Sequence, residues 1–256
     1  MNEHNFNIDI QNEQILNLDA GGLGAFIAIT NKKRIVMNNH QVFIEKRFES
    51  PFIRNFGDGH FLIVECRTNQ ENNAYIFTID GEVKKSFFVG DGVSDVLIHQ
   101  NKIIVGYFDE GVYGNDGPNQ DGLAVFDFEG KQLFGVNSSE SSVHIDDCYC
   151  MCKHGSNKVL FYTYSEFELS ELNLDTFEMK SKVAPTEVAG SSALVSCSNK
   201  VYFFSPYGAE HTIYLWDMEK TAISTIGKYP QHLRGIHEGL FLAFSESSYT
   251  IIELSF

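Results

Sequence analysis

Proline is scarce in this chain, five residues in 256, and no proline-rich stretch marks a linker. Length alone allows one or two domains; a repeat along the chain favours a single domain spanning 1–256. Basic residues are few as well: 19 lysines and arginines face 34 aspartates and glutamates, a formal net charge of −15. No basic run interrupts this acidity, which argues against nucleic acid and anionic membrane surfaces as partners. No apolar stretch approaches the roughly 20 residues that a membrane-spanning helix needs. The first residues, Met1-Asn2-Glu3-His4-Asn5-Phe6, lack the basic and apolar regions of a secretory signal. Cysteine is limited to five residues, three of them at Cys148, Cys150 and Cys152. Without an export signal, free buried thiols are expected. These absences predict a cytoplasmic protein. A capped apolar pattern of 3.6-residue period is also missing, so helices should be few.

What is abundant points to strands. Hydrophobic residues make up 43% and aromatics 13%, rich in Phe and Tyr, and 21 glycines serve frequent turns. A unit recurs about every 44 residues. One of its turns reads Asn101-Lys102-Ile103-Ile104-Val105, then Asn157-Lys158-Val159-Leu160-Phe161, then Asn199-Lys200-Val201-Tyr202-Phe203. Its third apolar run ends in a carboxylate: Ala74 to Asp80, Leu123 to Glu129, Ile213 to Glu219. Tight hairpins follow at Asp80-Gly81, Glu129-Gly130 and Asp175-Thr176. A four-strand unit at this period predicts an all-β fold, a β-propeller. Length over period gives about six blades; blade one is the least regular, so five and seven stay open.

Inner strands are expected to begin near Phe52, Ser94, Asp147, Ser192 and His232, with a sixth over Ala25 to Thr30. Gly21-Gly22-Leu23-Gly24 reads as the turn into that sixth strand. The last blade runs out after its third strand, and the segment from Phe6 to Asp19 is available to close the ring and cover its edge.

In a propeller the loops between blades and those joining second to third strands share one face. That places Gly90-Asp91-Gly92-Val93-Ser94-Asp95, the long excursion Tyr107 to Gly117, and Val143 to Tyr149 together, with Glu65-Cys66-Arg67 and Ser205-Pro206-Tyr207-Gly208 beside them. The excursion is longer than a hairpin requires, and such loops often carry function. The expected site residues are Arg67, Asp91, Asp95, Tyr107, Asp109, Glu110, Tyr113, Asn115, His144 and Asp147, the alternative being turns whose acids simply face water. No catalytic residue and no metal ligand is assigned.

The strings GDGVSDV, YFDEGVYGNDG and DDCY resemble a pattern in a family of uncharacterised bacterial β-propeller-like proteins with WD40- or NHL-like repeats. The resemblance covers mainly residues 59–167, at Asp91, Asp95, Asp109, Glu110, Asn115, Asp147 and Cys148. It implies the fold and brings no activity with it; Cys150 and Cys152 depart from the pattern. Trp216-Asp217 resembles the dipeptide of WD40 repeats but occurs once.

Other motifs argue against familiar chemistry. His144, Cys148, Cys150, Cys152 and His154 have an even spacing that puts them on one side of a strand, where ligands stand parallel and do not converge on zinc. No G-x-S-x-G, G-x-x-x-x-G-K-[ST] or G-x-G-x-x-G is present. Asp109 and Glu110 point opposite ways on an extended chain. The leading expectation is a binding or scaffolding propeller rather than an enzyme, taking a small polar ligand, a peptide or a protein. The alternative is a hydrolase or lactonase with a divalent cation held by Glu65, Asp95, Asp109, Asn115 and Asp147. No cofactor is expected under the first reading, and calcium under the second.

Overall fold

A computed structural model shows six four-stranded antiparallel sheets arranged as the blades of a propeller. It describes residues 1–22, 24–164, 166–206, 211–220 and 222–254. The chain opens with β1 (Asn2–Asn7) and then builds blade one from β2 (Ile15–Ala20), β3 (Phe26–Thr30), β4 (Arg34–Met37) and β5 (His40–Phe43). Blade two contains β6 (Pro51–Asn55), β7 (His60–Glu65), β8 (Ala74–Thr78) and β9 (Val83–Phe87). Blade three contains β10 (Val93–His99), β11 (Lys102–Tyr107), β12 (Leu123–Phe126) and β13 (Gln132–Gly135), with a short helix α1 (Asp109–Val112) between β11 and β12. Blade four contains β14 (Cys148–His154), β15 (Lys158–Thr163), β16 (Glu168–Asn173) and β17 (Met179–Val183). Blade five contains β18 (Ala193–Cys197), β19 (Lys200–Ser205), β20 (Thr212–Asp217) and β21 (Ile223–Lys228). Blade six has β22 (Arg234–His237), β23 (Leu240–Phe244) and β24 (Ser248–Glu253), and β1 is its outermost strand.

Two expectations for blade one need correction. Phe26–Thr30 is its second strand, and the inner strand is Ile15–Ala20. The turn at Gly21-Gly22 therefore joins the first strand to the second; Leu23 lies outside the described residues. The ring is closed by Asn2–Asn7, in register from Asn2 opposite Glu253 to Asn7 opposite Ser248, and not by the segment reaching Asp19. Phe6 stacks on Tyr249 with centroids 4.7 Å apart. Farther along, the Ile8 and Ile15 amides bond to the Ser247 and Glu246 carbonyls, at 2.9 Å each.

The strands read as near-continuous apolar runs because each sheet is covered on both faces. In β11, Ile103 and Val105 pack toward blade two while Ile104 packs toward blade four. Six apolar clusters fill the six interfaces between neighbouring blades, including the one between blades six and one. The cysteines belong to this core. A bulge in β14 between Cys148 and Cys150 turns Cys148 toward blade three, whereas Cys150 and Cys152 pack toward blade five. They therefore do not share one side of the strand. Burial pushes the Cys152 thiol up to about 12 and holds Cys150 well above the ordinary thiol range, so both stay protonated packing groups at neutral pH.

The tight turns have their own chemistry. Asp127 Oδ1 accepts the Glu129 and Lys131 amides at 2.9 Å each, and Gly130 sits at φ +81. Among the described residues no helix is long and apolar enough to cross a membrane.

Candidate functional site

The loops from blades two, three and four meet on one face of the disc. Two glycines permit the closest approach: Gly92, at φ +70, lies where an added Cβ would stand 2.4 Å from Gly111 Cα. The segment after β11 turns immediately into α1, whose Val112 and Tyr113 amides bond back to Phe108 and Asp109. A short 3-10 turn, Pro118–Asp121, then leads into β12. Asn119 holds this excursion from within. Its buried Nδ2 donates to the carbonyls of Gly111 at 2.7 Å and Asn115 at 2.8 Å. Asp121, also buried, accepts Gln132 Nε2 at 2.6 Å and the Ser138 amide at 2.9 Å. Asn73 does the same for the blade-two loop, donating to Glu65 and Gly90 carbonyls and accepting the Val89 amide. Neither Asn119 nor Asp121 was singled out from the sequence; Pro118 ahead of Asn-Gln-Asp-Gly, a local turn signature, was the signal available.

The expected site residues separate into two groups on the loop face and two that lie elsewhere. In the first group Arg67 bonds to Asp91 Oδ1 at 3.1 Å and Glu110 Oε2 at 2.6 Å, with its guanidinium over the Phe108 ring. Asp91 Oδ1 also accepts the Thr68 amide at 2.7 Å, which ties blades two and three together. In the second group Asp109, at the start of α1, lies near enough to Asp147 to act on its charge. Tyr113 is 69% exposed and its hydroxyl donates to Asp146, whose carboxylate also faces His144 Nε2 at 3.5 Å. Asn115 is exposed on the same excursion and lends its carbonyl to Asn119. A cavity of about 510 Å³ opens beside this group, lined by Ser141, His144, Asp146, Glu166, Glu168 and Ser181 among others.

Asp95 and Tyr107 are placed differently from expectation. Asp95 turns to the central axis and pairs with Arg54 of blade two. Tyr107 is fully buried and its hydroxyl donates to the Val89 carbonyl, so it belongs to the wall beneath the loop. Of the five residues considered for a divalent cation, Glu65 already accepts the Glu49 and Ser50 amides at 2.7 and 2.6 Å. Among the described residues no group of three or more His, Cys, Asp or Glu side chains is set to hold a metal ion. His154 lies far along β14 against Ser196 and Glu171, away from exposed His144. From the blade-five loop, Tyr207 and Gly208 lie outside the described residues.

Asp147 is the electrostatically unusual member. Its half-burial, with the charge of Asp109 added, raises its carboxyl from 3.8 to about 6. The folded chain then binds more proton than the unfolded chain between these values, so this group's contribution to stability is present near pH 4 and lost as pH rises through 6. Asp147→Asn is expected to stabilise the protein at pH 7.5 and to leave it nearly unchanged at pH 4. The full displacement corresponds to about 3 kcal/mol, and solvent screening at a half-buried group reduces the expected gain to about 1–2 kcal/mol. Thermal unfolding of both proteins at the two pH values checks this; equal gains at both would reject it.

No protein-family model and no curated protein matches this chain. Solved structures match it along its length. A catalytically inactive virginiamycin B lyase from Staphylococcus aureus, solved with quinupristin, aligns with a TM-score of 0.58 at 13% identity over 99% of each chain. YCF48 bound to a D1 peptide aligns with 0.60 at 8% identity, over 99% of this chain and 97% of that one. The β-propeller domain of Cps50 (Swd1) from Myceliophteria thermophila aligns with 0.59 at 8% identity, over 94% and 83%. At these identities the likeness establishes what the sheet order also shows: the chain is a six-bladed β-propeller.

Proposed function

We propose that this propeller is a binding module whose partner, a peptide or protein, seats on the loop face of blades two to four. The observation that carries this reading is the excursion after β11. The blade needs only a hairpin there, yet the chain builds α1 and a 3-10 turn, anchors them with buried Asn119, and directs Asp109, Glu110 and Tyr113 outward. Buried polar anchors of this kind hold a surface in shape before a partner arrives, which lowers the ordering cost of binding. Tyr113 supplies a rigid aromatic contact, a residue type enriched at interfaces. One of the structures this chain resembles in fold, YCF48, was solved with a D1 peptide bound. The acidity of the face favours a partner segment carrying Lys or Arg.

The test is a partner screen with the intact protein followed by Asp109→Ala. Asp109 is exposed, so the variant should melt where the parent does. Affinity for a captured partner is expected to fall about tenfold, corresponding to about 1.4 kcal/mol. A folded Asp109→Ala protein that binds with unchanged affinity would remove this face from consideration.

A further inference from the structure

We propose that the centre of the propeller is an anion site, where Lys153, Arg234 and Arg54 of three inner strands receive a small oxyanion such as phosphate. The six inner strands β2, β6, β10, β14, β18 and β22 surround the axis. Most of their side chains are apolar or small, but five carry charge near one another: Asp19, Arg54, Asp95, Lys153 and Arg234. Three are cations and two are carboxylates, and each carboxylate is already committed to an arginine. Asp95 pairs with Arg54 Nη2. Asp19 Oδ1 takes Arg234 Nη2 at 2.6 Å, and its Oδ2 accepts the Asn55 amide at 3.1 Å.

Donors are left over beside these pairs. Among the described residues Lys153, half-buried on β14, makes no side-chain hydrogen bond or ion pair, although it lies within the field of Asp19, Arg234 and Arg54. Arg234 Nε is buried without a partner. His99, on the neighbouring inner strand and in the field of Lys153, keeps Nε2 buried without a partner too. The other charged groups that act on His99 are His237 and Lys102, which add no carboxylate. In a chain of net charge −15 this is a local excess of positive charge. Guanidinium and ammonium donors that outnumber the carboxylates beside them are the chemistry that recognises an oxyanion. Burial, with the repulsion of Arg234 and Arg54 added and Asp19 opposing, already lowers the Lys153 pKa, and a bound anion would relieve that repulsion.

The intact protein is titrated with sodium phosphate against sodium chloride at matched ionic strength while Tm is followed. A saturable rise on the order of 5 °C with millimolar phosphate is expected, as for a ligand that binds only the folded state. The rise should vanish in Lys153→Met and persist in Asp109→Ala, which separates this site from the loop face. A rise equal to that in chloride, or one retained in Lys153→Met, overturns the proposal. Should Lys153→Met not fold, Lys153→Gln and equilibrium dialysis of labelled phosphate against the parent protein decide it. Absence of one saturable site, displaced by sulfate, then overturns it.

Discussion

Removing residues 1–7 is expected to destabilise the propeller by about 5 kcal/mol, on about 1 kcal/mol for each net hydrogen bond of the lost ladder and the burial of Phe6. The strand pairs along its full length with β24, stacks Phe6 on Tyr249 and accepts the Thr250 hydroxyl on Asn5 at 2.7 Å. Its own side chains are largely exposed, so the loss falls on hydrogen bonding and on what β24 must then display. Without β1, β24 becomes a free edge bearing unpaired amides and carbonyls, a template for pairing with another chain. The truncated protein should melt well below the parent and associate in a concentration-dependent way. Calorimetry and size-exclusion chromatography at several concentrations check this. A truncated chain that stays monomeric and melts within about 2 °C of the parent would show that β1 is ornamental.

Arg54→Met is expected to cost about 3–5 kcal/mol, the range for removing one partner of a buried ion pair. Arg54 is 2% exposed and links three blades. It bonds to Asn17 Oδ1 of blade one at 3.2 Å, to the Ile53 carbonyl of its own strand at 2.7 Å, and to Asp95 and the Val96 carbonyl of blade three. Burial and the nearby Arg234, against Asp95 and Asp19, bring its own pKa down to about 10, which leaves it charged at neutral pH. Methionine keeps much of the stem volume and none of the donors, so the part-buried Asp95 would lose its counter-charge and keep only the Val96 amide. For a protein of this length the loss corresponds to roughly 10 °C in Tm. The double variant Arg54→Met with Asp95→Asn should recover part of it, since the two sites are coupled. A single variant that loses under about 1 kcal/mol, below the range for a broken buried pair, would show that the arginine is not holding the inner ring together.

Blades two to six were legible in the sequence because their turns repeat. Asn101-Lys102, Asn157-Lys158 and Asn199-Lys200 each open a second strand, and Asp80-Gly81 and Glu129-Gly130 each close a hairpin. Blade one was read one strand out of step for a physical reason. Its inner strand, Ile15–Ala20, contains Asn17 and Asp19, which break the apolar run because they serve the axis: Asn17 accepts the Ile53 amide and Asp19 the Asn55 amide. A strand whose polar residues are satisfied by another blade does not look like a strand in isolation. The helix α1 is four residues long and is held by tertiary contacts, so no local period announces it. The grouping of Arg67, Asp91 and Glu110 followed from loop order alone, whereas the inward turn of Asp95 depended on Arg54, a residue 41 positions away.

The shared sixth blade also sets the order in which this protein can finish folding. Within the first five blades every ladder joins strands that are neighbours in sequence, so each can form while synthesis continues. The β1–β24 ladder joins residues at opposite extremes of the described chain. It must wait until β24 has left the ribosome, and its loop-closure cost is largely met beforehand because the intervening blades have drawn the ends together. The seam is therefore the one ladder of the sheets that joins the two extremes of the described chain, and it cannot form until nearly all of that chain has been made.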